Sequence, residues 1–370
     1  MKTASIPINN YIPSLNGLRA LSIATVIASH LIKPNSVGAI VIPFPFSILA
    51  DGNFGVNVFF VISGFLITTL LIAEENKTGT ISLKNFYIRR IFRIFPAYYF
   101  VLLVYFILQS LSIMSFTSQS WLSSIFYYKY FVRGDIEMDH FWSLSMEEHF
   151  YLIWPLVFLT FKKYRGYFAF GVILLVCIVR FYAYRSGINA WDLTPLRVDA
   201  IMIGCVFALY HERIRSWMAA HFNYKYLLLL LPVLFINSRY FEELNRHYGL
   251  HLGFLLIPLG IGVSVGTGTN ILIGLLMIFS IHFKTWWFGF LNTPAMNYIG
   301  KLSYSLYLWQ HLFIMSPRIG MLSSFPINLC CTIAAALFSY YFIERPFLKL
   351  KSRFEPRQRP KPAVALSVPY

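Results

Sequence analysis

Two ionisable residues stand inside the apolar stretch GLRALSIATVIASH, residues 17–30. Arg19 and His30 are 11 residues apart. On an α-helix that separation is about 1100°, so the pair shares one face, with a rise of about 16 Å between them. Ionisable side chains at membrane depth face a bundle interior or a cavity, so the pair predicts a polar track along one helix. A neutral imidazole on such a track can take a proton from a hydroxyl. The plainer alternative is that each side chain hydrogen-bonds a neighbouring helix or snorkels to the interface.

A second group is RRIFRIFP, Arg89 to Pro96. Arg90 and Arg93 are i,i+3 and Arg89 and Arg93 are i,i+4, so on a helix the three guanidiniums converge on one face. Such forked donors suit phosphate; a charge cluster that only sets topology is the alternative. The third group is HFWSLSMEEHFYLIWP, His140 to Pro155. In the structural reading, Ser143 or Ser145 caps a helix and Glu147 and Glu148 occupy its first turn, where they complement the helix dipole. In the functional one, Glu147 orients or charge-stabilises His30 as a general base, with His140, Trp142, Ser143 and Glu148 on the substrate side. Weaker signals are Ser63 and Gly64 in FFVISGFLIT, small residues that let helices approach closely; Arg197 and Asp199 in LRVDAIMIG, most simply an ion pair; and His311 at the end of GKLSYSLYLWQH.

These residues need helices to position them. The 370-residue chain is 57% hydrophobic and 12% charged, with 36 Phe and 24 Tyr, the composition of an integral membrane protein. Apolar segments occur around residues 11–33, 54–73, 93–112, 148–161, 166–184, 197–211, 226–238, 250–283, 299–317 and 324–343. Their continuous runs, without strand-like alternation, predict an all-α polytopic transmembrane bundle and not a barrel. The first run has no small-residue cleavage site after it and reads as a retained span.

The net charge of +16 resides mostly in short connections between apolar runs, where membrane topology explains it and nucleic acid need not be invoked. Lys77, Lys84, Arg89, Arg90 and Arg93, then Lys162, Lys163, Arg165, Arg213, Arg215 and Lys225, are assigned to the cytoplasm. The basic tail after Glu344 places the C-terminus there too, so the number of spans is even. Taking 250–283 as one long or broken element gives about ten spans with both termini cytoplasmic. Residues 347–370, basic and proline-rich, read as a disordered cytoplasmic tail following a transmembrane domain of residues 1–346. Cys177, Cys205, Cys330 and Cys331 lack metal-ligand spacing, so neither a disulfide framework nor a metal site is expected.

Taken together and in this order, Arg19 and His30, FFVISGFLIT, RRIFRIFP, FWSLSMEEHFYLIWP, LRVDAIMIG, GKLSYSLYLW and IERP at 343–346 resemble the acyltransferase-3 family of polytopic membrane acyltransferases. The resemblance runs over residues 12–346. It implies a bacterial inner-membrane enzyme that takes acyl groups, acetyl above all, from cytoplasmic acyl-CoA and places them on a hydroxyl of an extracytoplasmic or lipid-linked glycan, such as lipopolysaccharide O-antigen or exopolysaccharide. It implies that Arg19, Arg90 and Arg93 serve the donor, Arg89 joining them by position, and that His30 is the functional histidine. Two departures stand out. Relatives often carry histidine directly after the tryptophan of YLW, whereas here Gln310 follows Trp309 and His311 comes next; and glutamine is common where His149 stands. Some relatives carry a fused extracytoplasmic hydrolase-like domain; with none after this bundle, the chain is expected to act alone or with separate glycan-assembly proteins. The rival from another class is a transporter in which Arg19 and His30 line a substrate or proton path.

Overall fold

The computed structural model describes residues 12–32, 51–132, 134–186, 193–221 and 266–355. Among these residues the regular structure is helical. Five helices are long and apolar enough to cross a membrane: Pro13–Ile32, Gly52–Thr78, Leu83–Ser110, Arg165–Ala183 and Ile327–Phe354. The first three are α1, α2 and α3.

Local chemistry sets their ends. The Asp51 carboxylate accepts from the backbone N–H groups of Asn53 and Phe54 and so caps α2. Gly79, at φ 78°, ends it in the left-handed conformation and donates back to the Glu75 carbonyl. Ser82 then caps α3 through the N–H of Asn85.

The other expected segments resolve into shorter pieces. The 148–161 run lies in α6 (Phe141–Thr160), which follows the short helices α4 (Ser118–Ile125) and α5 (Ile136–Asp139). The 166–184 run is α7 (Arg165–Arg185). The 197–211 run is α8 (Val198–Leu209), only 12 residues and so about 18 Å long, short of a bilayer core. It turns at Tyr210 into α9 (His211–His221). Thr267–His282 (α10) is the described part of the 250–283 run, whereas 226–238 and 250–265 lie outside the described residues. Next come α11 (Trp286–Leu291) and α12 (Pro294–Gln310), the latter continuing as a π-turn over His311–Met315. Finally α13 (Ile327–Phe338) passes through a second π-turn into α14 (Arg345–Lys351). The helix thus continues past residue 346, and residues 356–370 of the expected tail lie outside the description.

α1 packs between α2 and α12, and α2 packs along α8. The second contact depends on two glycines: a Cβ on Gly64 would meet the Ile201 carbonyl, and one on Gly204 the Val61 carbonyl. Gly64 therefore has the close-approach role expected of it. Gly300 likewise lets α12 ride against the backbone of Asn16 on α1. These crossings fix the face of α1 that carries Arg19 and His30.

Candidate active site

A partly open cavity is lined by Arg19, Phe59, Ser143, Glu147, Tyr304 and Tyr307 among others. Four helices contribute to it: α1, α2, α6 and α12.

At the Arg19 end, the carboxylate of Glu147 accepts from Ser63 Oγ at 2.8 Å and from the Tyr151 hydroxyl at 3.1 Å. Arg19 and Arg93 lie within electrostatic range of it. Glu344, in the IERP motif, accepts from Ser305 Oγ and lies in range of the same two arginines. Arg19 Nε is buried and makes no hydrogen bond among the described residues. It is a donor left open beside a cavity it lines, which suits an anionic or carbonyl ligand.

This geometry replaces the capping explanation for the carboxylates. α6 begins at Phe141, so Glu147 and Glu148 stand well past its first turn, and His140 occupies the cap position without a side-chain cap bond. The two serines bond backward along the helix instead, Ser143 to the His140 carbonyl and Ser145 to that of Phe141. The helix can start early because α5 leads directly into it. Glu147 is thus held by side chains of α2 and α6, in range of Arg19. Glu148 lies within electrostatic range of Arg90.

The arginine group divides. Arg89 is buried and committed: it pairs with Glu74 at 2.6 Å and donates to the Phe354 carbonyl at 2.8 Å. Arg90, also buried, sits 5.5 Å from the centre of the Phe86 ring and 5.8 Å from that of Tyr151, with its Nε unpartnered among the described residues. Arg93 is half-buried, in electrostatic range of both Arg19 and Arg90. Arg90 therefore has both Arg89 and Arg93 in electrostatic range, while the Arg89 guanidinium is taken up in joining α2, α3 and the C-terminal segment.

At the other end, His30 is half-buried and its Nδ1 lies 3.2 Å from Gln310 Oε1. An amide oxygen only accepts, so this contact calls for the tautomer with the proton on Nδ1. The His311 ring meets His30 edge-on, centroids 4.7 Å apart, and lies tilted against His140 at 4.3 Å. His311 Nδ1–H donates to the Ile136 carbonyl at 2.8 Å. Tyr307 donates to the His140 carbonyl at 3.1 Å and shares a 2.6 Å contact with the Ser143 hydroxyl, which ties the histidine cluster to the cavity. Trp142 packs edge-on against Phe60 and lies 4.7 Å beneath the Arg197 guanidinium. His149 stands apart, its Nδ1 2.9 Å from the Tyr130 hydroxyl.

Arg197 and Asp199 do not form the expected pair. Asp199 is bonded by Arg180 at 2.7 Å, by Thr267 and by Asn270, while Arg197 donates to Asn53 at 3.0 Å. Arg180 lies on α7, and nothing in LRVDAIMIG points to it. Sequence reasoning also missed Tyr307, Ser63 as a carboxylate donor, and the use of Gln310; for the last, its unusual place after Trp309 was the available signal. Among the described residues no cluster of His, Cys, Asp or Glu could hold a metal ion.

A family model described as an acyltransferase domain matches residues 12–344. A Staphylococcus aureus (strain COL) protein whose name provisionally assigns it as an O-acetyltransferase is 30% identical over 380 residues, covering 92% of this chain and 58% of its own length. The O-acetyltransferase OatA of Staphylococcus aureus (strain NCTC 8325 / PS 47) is 30% identical over 374 residues, covering 92% of this chain and 57% of its own. The chain therefore spans less than three fifths of the length of these curated relatives. No solved structure matches it.

Proposed function

Because the chain belongs to the acyltransferase-3 family of membrane proteins, we propose that it is a membrane O-acyltransferase moving an acyl group, acetyl in our reading, from acyl-CoA to a hydroxyl of a glycan. The donor enters from the cytoplasm at the Arg19 end; the acceptor, extracytoplasmic or lipid-linked, arrives at the His30 end, in a bacterial cytoplasmic membrane. The observation that carries this reading is the cavity itself, which joins an arginine with an open donor to hydroxyls adjoining a cluster of histidines.

The chemistry follows from the groups present. Arg90, Arg93 and Arg19 attract the donor's phosphates and the polar part of its thin pantetheine arm. Gln310 holds His30 with the proton on Nδ1, so Nε2 accepts the proton of the acceptor hydroxyl as its oxygen attacks the thioester carbonyl. Ser143 and Tyr307, which line the cavity, supply hydroxyl donors for the oxygen that gains charge. When the intermediate collapses, the carbon–sulfur bond breaks and the thiol leaves with the proton from the imidazolium. Glu147, between Ser63 and Tyr151, keeps the charge of Arg19 in place as a positioning residue.

The test is acetyl-CoA-dependent labelling. Membrane vesicles containing the chain, given acetyl-CoA labelled in its acetyl group, should transfer alkali-labile label to glycan, and vesicles without the chain should not. Solute flux with no donor and no label transferred would overturn the proposal in favour of a transporter.

A further inference from the structure

Arg89 poses a question for the donor end: its guanidinium is tied to Glu74 and to the carbonyl of Phe354, so what completes the cation group beside Arg90 and Arg93? The same bond supplies the answer, because it draws the C-terminal segment across the start of α3. Phe92 lies between two aromatic rings of that segment, 6.2 Å from Phe347 and 5.7 Å from Phe354, centroid to centroid. Between these two anchors stands Lys351, the last residue of α14, half-buried and within electrostatic range of Arg89, Arg90 and Arg93 together.

We propose that the C-terminal helix forms part of the donor site, with Lys351 joining Arg90 and Arg93 in binding the clustered phosphates of a nucleotide thioester such as acyl-CoA. This rests on the acyl-CoA reading above. Like charges brought together at a half-buried place repel one another; of the carboxylates nearby, Glu74 is occupied by Arg89, Glu148 and Glu355 each face one edge, at Arg90 and Lys351, and Glu147 and Glu344, in range of Arg93, also face Arg19 and accept from Ser63, Tyr151 and Ser305. The buried Arg90 Nε without a partner is the independent sign of a ligand. A polyanion resolves both features, since its oxygens accept from the open donor and offset the repulsion. The flexible ammonium of Lys351 serves as a point charge beside the two forked guanidiniums.

The experiment measures binding of CoA, and of pantetheine as the phosphate-free probe, to the purified full chain in detergent. Lys351→Gln should weaken CoA binding on the order of tenfold and leave pantetheine binding unchanged, and Lys351→Arg should restore CoA binding. Unchanged CoA affinity in Lys351→Gln would overturn the inference, as would an equal loss for both probes, which would mark Lys351 as structural. A wild-type chain that binds no CoA would refute the donor reading and this inference with it; one that binds CoA indifferently to residue 351 would refute the inference alone.

Discussion

The two ends of the track differ in what their side chains hold. At the Arg19 end the groups hold charge: Glu147 and Glu344 each take hydroxyl donors, from Ser63, Tyr151 and Ser305, with Arg19 and Arg93 in range. At the His30 end stand groups able to handle protons: three imidazoles in ring contact, with His30 against an amide oxygen and His311 against a backbone carbonyl. One helix carries both ends, about 16 Å apart. In the proposed function the first binds the donor's anion and the second transfers the proton, so the two are separable by experiment.

The largest effect is expected of His30→Ala. Loss of a general base costs about 10²- to 10⁴-fold in rate, so kcat should fall by that much while the KM for acetyl-CoA stays put, read from initial rates of label transfer. Arg90→Gln should do the opposite. Removing a charge-assisted contact of about 1.5–3 kcal/mol raises donor KM roughly ten- to hundredfold with little change in kcat; a fall in kcat alone would erase the division between the ends. Gln310→Leu tests the amide that sets the imidazole tautomer. It should lower kcat by about tenfold, consistent with loss of a hydrogen bond worth about 1–1.5 kcal/mol, without altering donor KM. Gly64→Val should act on neither end preferentially, because the added methyls press on the Ile201 backbone at the α2–α8 crossing. Overpacking of this kind costs about 1–3 kcal/mol, visible as a lower melting temperature in detergent with the ratio of kcat to KM for the surviving fraction preserved.

Much of this was legible in the sequence where one helix determines the answer. Arg19 and His30 share a face because helical period alone decides it, and Gly64 packs closely because a missing Cβ can be read directly. What depends on a second helix was not legible. Asp199 takes Arg180 from α7 in preference to Arg197 two residues away, and Glu147 takes Ser63 from α2. Glu147 lies beyond the helix start for a local reason: α5 abuts α6, so the helix begins at Phe141, ahead of the serines. Hydropathy also ran through turns that it does not sense, joining α8 to Tyr210 and α12 to the π-turn at His311. Five described helices qualify as spans by length and composition, and part of the region carrying the remaining expected spans lies outside the description. Arg89 illustrates the same limit, since spacing grouped it with Arg90 and Arg93 while a carbonyl 265 residues away claimed it.

In the proposed mechanism His30 handles the proton of the acceptor hydroxyl. It is tested most directly by expressing wild-type and His30→Ala chains in a bacterial host that makes a defined surface glycan, and scoring O-acetyl groups by proton NMR before and after mild alkali. Alkali-labile acetyl is expected with the wild type and none with His30→Ala at equal abundance in the membrane. Equal acetylation by both chains would contradict it and leave His30 a structural residue of α1.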